Sequence, residues 1–208
     1  MSPRPRRISL HPTGRRCVMP APWLLRRRER DAIVSGPEKK KVLDLRSIFG
    51  LEATVTTPAV ATDGASVEMD VVLEPGGHTN DHYHPAQEET FQVLAGTLEV
   101  FRDGDWHKVP AEESSTVPRG ATHAFRNATE TPVRFLNTHR PAFTFQEFLE
   151  TVDRLIRAGK VKGPRDLRSG IYLSLAAVEQ GTSVQVKPPQ MLLRGLAFIG
   201  RRLGYRLE

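Results

Sequence analysis

Cysteine is nearly absent from these 208 residues: Cys17 stands alone. A single thiol can close no intramolecular disulfide and build no thiolate zinc cluster. Stability must therefore come from packing, and a reducing compartment, the cytoplasm, is the expected setting. Long apolar runs are also missing, and no stretch reaches the roughly 18 residues that a membrane-crossing helix needs. Aromatic residues make up 7% of the chain and hydrophobic residues 38%. That supports one modest core, so a single globular domain with appendages is expected.

Acidic residues are scarce at the amino-terminal end. Residues 1–41 hold twelve Lys and Arg against three Asp and Glu, whereas the rest of the chain has three more acids than bases. The net charge of +6 thus belongs to a leader. Clustered arginines attract phosphates, and "RRISL" loosely matches a twin-arginine export pattern. The apolar segment that such a signal needs is missing: "HPTGRR" comes next, and the later "CVMPAPWLL" is short and closed by "RRRER", so export is not expected. Pro, Gly and Arg leave little to pack, and residues 1–41 are expected to be a disordered basic leader. No helix-turn-helix pattern occurs in residues 1–50, and no nucleic-acid partner is expected.

From Leu51 the texture changes to short runs rich in Val, Thr and Phe, among them "SVEMDVVLEP", "TFQVLAG", "TLEVF" and "VRFLNTH". "TDG", "EPGG", "RDGD" and "PRG" separate them as turn signals. Many short strands with no helical pattern between them argue for an all-β sandwich or barrel over residues 42–142. After Pro141 the period changes. Phe145, Phe148, Leu149, Val152, Leu155 and Ile156 recur at helical spacing, with Thr144 as N-cap and Gly159 as stop. Helices are also expected over about 167–179 and in "QMLLRGLAFIGRRLGY", making residues 143–208 a helical extension packing on the barrel. The last helix carries arginines beside leucines. It is expected to pack against its own protein, and an anionic membrane surface is the alternative.

His82 and His84 are two apart, so on an extended strand both imidazoles leave one face. On the next strand Glu89, Phe91 and Val93 share a face, with Glu88 and Gln92 on the other. His123 comes after a turn and shares its strand face with Phe125. Three imidazoles and one carboxylate suit a divalent first-row metal, Fe, Mn, Ni or Zn, with coordination positions left open. A metal-free barrel in which the four hydrogen-bond one another is the alternative. Glu88 competes with Glu89 as ligand, and strand parity favours Glu89. His78 has the parity to reach the cavity, as a partner to a ligand or a proton shuttle, or else lies in the exposed "GGHTND" turn. Phe91, Val93, Phe125 and Phe135 line the interior as substrate contacts or are core alone. Asn137 and His139 share parity at the end of a strand and can form a polar rim.

"GGHTNDHYHPAQEETFQVLAG" resembles the first cupin motif, with Gly76, His82, His84, Glu89 and Gly96 at its spacing, and "PRGATHAFRN" resembles the second, with Pro118, Gly120, His123 and Asn127. Nine such positions should arise by chance in fewer than roughly one chain per million. The closing segment also resembles a group of bacterial single-cupin proteins with helical tails ending in "RRLGY"-like residues. The resemblance implies a jelly-roll β-barrel with a metal on His82, His84, Glu89 and His123, and a homodimer. One position departs from it: Glu112 and Glu113 stand where glycine usually opens the second motif, so a different local turn is expected there.

A metal-dependent enzyme on a small organic substrate is the expected function, an oxidoreductase of the dioxygenase kind in which Glu89 tunes the metal and can take a proton. Alternatives are a metal-dependent isomerase or lyase, a small-molecule binding or sensing module, and a metal that acts only as a structural clip.

Overall fold

The computed structural model describes residues 40–179, 185–186 and 190–208. The expected leader, except for its last two residues, lies outside them. The β part runs β1 (Val42–Asp44), α1 (Arg46–Phe49), β2 (Leu51–Thr57), β3 (Val67–Leu73), β4 (His82–Tyr83), β5 (Glu88–Ala95), β6 (Thr97–Arg102), β7 (Asp105–Pro110), β8 (Ser114–Val117), β9 (Ala124–Arg126) and β10 (Val133–Arg140). Beyond it come α2 (Phe145–Arg157), α3 (Leu167–Glu179), β11 (Gln185–Val186) and α4 (Gln190–Arg202).

Strands β1, β2, β3, β10, β5 and β8 lie in that order in one antiparallel sheet, and β7, β6 and β9 form a second. Two isolated bridges, His78 to Arg126 and His82 to His123, tie the segment carrying β4 to the region of β9. β11 pairs with the other edge of β4. The non-sequential strand order, with β10 between β3 and β5, is that of a jelly roll.

Strict alternation explains where the core sits. Along β3, Val67, Met69, Val71 and Leu73 are buried while the residues between them are half-buried. β10 presents Val133, Phe135, Asn137 and His139 inward in the same way. Their face meets Leu98, Val100 and Phe125 from the second sheet, and the rings of Phe91, Phe125 and Phe135 pack within 5.4–5.8 Å of one another. Burial of such side chains contributes about 1.5–3 kcal/mol each.

The turn before β8 differs from the expectation drawn from Glu112. That residue itself takes the left-handed conformation, φ +71°, that glycine would supply. Its N–H donates to the Val93 carbonyl and the Val93 N–H donates to the Glu113 carbonyl, both at 2.9 Å. The turn is kept, with a side chain in a region that L-residues disfavour by roughly 1–2 kcal/mol.

α2 lies with Phe145, Leu149 and Val152 in the main core, next to Leu43 and Leu45. Asp153 fixes its far end by accepting the Asp44 N–H at 2.8 Å. Leu155 starts a second cluster with Val161, Ile171, Tyr172, Leu175 and Ala197, through which α4 packs on α3. Among the described residues, no helix is long and apolar enough to cross a membrane.

Candidate metal centre

The two sequence motifs are joined through their backbones. The His82 N–H donates to the His123 carbonyl at 2.9 Å, the His123 N–H donates back at 2.8 Å, and the Gly120 N–H donates to the His84 carbonyl at 2.8 Å. His82 and His123 therefore face each other across a strand pair, and His84 lies further along the same face. Glu89 enters from β5, in register with His139 on β10. The four side chains are buried, and one donor atom from each lies within 4.8 Å of all the others.

The histidine tautomers are set by their partners. A carbonyl only accepts, so Nδ1–H of His82 donates to Asn80 (2.9 Å) and Nδ1–H of His123 donates to Ala121 (3.0 Å). Both rings thus turn Nε2 to the centre. Nε2 of His123 and of His84 lie 2.6 and 3.0 Å from the same oxygen, Oε2 of Glu89. Adjacent donors around an ion at about 2.1 Å sit about 3.0 Å apart, so these two contacts have about the spacing of neighbouring ligands on a first-row cation.

The other carboxylate oxygen is held separately. Asn137 donates from Nδ2 to Oε1 of Glu89 at 2.8 Å, and Nε2–H of His139 donates to Oδ1 of Asn137 at 2.9 Å. The His139 ring is fully buried and stacks on Phe145, with centroids 3.6 Å apart and planes 28° from parallel.

Burial opposes charge throughout the cluster, and geometry decides where it prevails. Desolvation, helped by the neighbouring His123, lowers the pKa of His82 to about 4. Desolvation lowers His139 to about 3. For His123 desolvation pulls down too, but the charge and hydrogen bond of Glu89 outweigh it and the pKa is raised. Burial likewise disfavours the Glu89 carboxylate. His139 and His123, with hydrogen bonds from His123 and His84, overcome this and hold the group well below the usual carboxylate range.

Two members of the cluster, His82 and Glu89, line a cavity of about 140 Å³, where with Asn137 they meet a wall that includes Met69, Val71, Phe125 and Phe135. Phe145, Phe148 and Leu149 of α2 complete the lining. A dry apolar cavity of about this size accommodates one benzene-sized ring.

Of the residues singled out from sequence, His82, His84, Glu89 and His123 come together, and Phe125 and Phe135 line the cavity. Phe91 and Val93 are buried behind that lining, where Phe91 supports the rings of Phe125 and Phe135. His78 is exposed, with Nδ1 3.1 Å from the Gly76 carbonyl, and lies outside the cavity wall. Its parity with His82 is not kept because residues 79–81, irregular and bent at Asp81, separate the isolated bridge at His78 from β4. Asn137 and His139, expected at a rim, are instead buried against Glu89. Their alternation with Phe135 is the signal in the sequence, but only the register of β5 against β10 places them on that carboxylate.

Residues 69–139 match the model of the cupin domain, and this part of the chain is a cupin domain. The chain is 30% identical over 100 residues to polyketide synthase CurC of Streptomyces cyaneus, a match covering 48% of this chain and 60% of that one. It is 26% identical over 85 residues to the tetracenomycin polyketide synthase protein TcmJ of Streptomyces glaucescens, covering 41% of this chain and 57% of that one. Among solved structures, the polyketide cyclase RemF from Streptomyces resistomycificus superposes with a TM-score of 0.44 at 21% identity, over 51% of this chain and 77% of that one. The chain thus spans about 60% of the length of these two curated relatives.

Proposed function

We propose that the cupin domain holds one divalent transition metal on His82, His84, Glu89 and His123 and converts a small, largely apolar organic substrate bearing an oxygen donor. One observation carries this reading: four buried residues offer donor atoms within 4.8 Å of one another, and two of them, His82 and Glu89, line an apolar cavity. Such an ion supplies Lewis acidity and, for iron or manganese, access to dioxygen chemistry. The chain supplies the rest. Phe125, Phe135 and Phe148 exclude water and seat an apolar ring, while Asn137 holds Oε1 of Glu89 so that Oε2 faces the imidazoles. Oxygenation of an electron-rich ring or diketone is the reaction we assign first. A second reading, ring closure or isomerisation without net oxidation, is favoured by relatives named for polyketide synthesis.

The readings separate in one experiment. Metal-loaded protein is screened against small phenols and diketones with and without dioxygen. Substrate-dependent oxygen uptake supports oxygenation, and equal conversion without oxygen supports the second reading. Full metal loading with no turnover across the panel would instead favour a binding or sensing module.

A further inference from the structure

α4 has one side that the second cluster explains and one that it does not. Ala197 and Gly200 are buried against α3, and a Cβ on Gly200 would lie 2.5 Å from Cγ2 of Ile171 and 3.5 Å from Cδ1 of Leu175. This close approach fixes the rotation of the helix. Met191 (83% exposed), Leu192 (52%), Phe198 (58%), Ile199 (50%) and, just beyond the helix, Leu203 (66%) consequently face outward. Arg202 is exposed among these residues, with its guanidinium 5.2 Å from the centre of the Phe198 ring, and Arg194 and Arg201 are exposed along one border of the same face.

Charge indicates what this face fits. No Asp or Glu occurs between Glu179 and Glu208. An ion pair at the edge of this face, Arg201 to Glu179 at 3.3 Å, is solvent-exposed and contributes little. A second copy docked about a twofold axis would set these arginines against themselves with no carboxylate on the helix to answer them. The basic residues 1–41 meet the same objection. An anionic lipid surface matches both features: phosphates meet the arginines, and Leu192, Phe198 and Ile199 enter the acyl boundary.

We propose that α4 docks the protein onto anionic lipid surfaces through this exposed apolar and arginine-bearing face. The test is flotation of the full chain with phosphatidylcholine vesicles, with and without phosphatidylglycerol, over a range of salt. Binding is expected only with the anionic lipid and should weaken as salt rises. Each arginine near such a surface is worth about a fivefold change, so R194Q/R201Q/R202Q should bind on the order of a hundredfold more weakly. F198D/I199D should also lose binding. Both variants change exposed positions, and an unchanged thermal melt shows that they fold. The proposal is overturned if the wild type does not bind, or if folded variants bind as well as wild type, which would assign binding to another segment. It is also overturned if duplex DNA competes fully while F198D/I199D leaves binding intact, or if I199D only dissociates a dimer seen by light scattering.

Discussion

Glu89 uses its two carboxylate oxygens differently: Oε2 faces His84 and His123, and Oε1 takes the Asn137 amide. Asn137→Ala should therefore free the carboxylate to rotate and weaken metal binding by about 10- to 100-fold, measured by competition with a chelating dye. The buried imidazoles also set a pH dependence for the metal-free protein. His82 and His139 have folded-state pKa values of about 4 and 3, below their ordinary 6.5, so the unfolded chain binds more protons than the native one across that interval. Their contribution is complete above about pH 6.5 and is lost as pH falls, by up to about 1.4 kcal/mol per pH unit for each histidine. His123 acts in the opposite sense: its contribution is present below about 6.5 and is lost as pH rises through its raised pKa. Urea midpoints should thus peak near neutrality and fall already between about pH 6.5 and 5. A flat profile there would show that these rings are not buried neutral.

Single elements carry both the legible and the illegible parts of the fold. Period-two spacing puts His82, His84 and Glu89 on inward faces, and period-3.6 spacing places α2, because each pattern is local and burial enforces it. The pairing of Glu89 with His139 across β5 and β10 is not legible, since register between strands 50 residues apart in sequence depends on the whole sheet. The Glu112 turn runs against expectation because a left-handed non-glycine residue leaves no mark in the sequence. Glu112→Gly should leave the fold intact and shift stability by between zero and about +1 kcal/mol in thermal denaturation. α2 closes the cavity through Phe145, which stacks on His139. Phe145→Ala should cost about 3–5 kcal/mol of stability and open the cavity to larger ligands in a binding screen.

At the scale of the whole molecule, the jelly roll places a polar cluster against the wall of an apolar cavity, and the helical extension closes that cavity with α2 while leaving an arginine-rich face on α4. In the function we propose, His82, His84, Glu89 and His123 form one metal centre. Elemental analysis after expression with supplemented iron, manganese, nickel and zinc tests it most directly, on wild type beside His84→Ala and His123→Ala. About one equivalent per chain in the wild type and almost none in either folded variant is the predicted result. A folded wild type without transition metal, or variants loaded as fully as the wild type, would contradict the account.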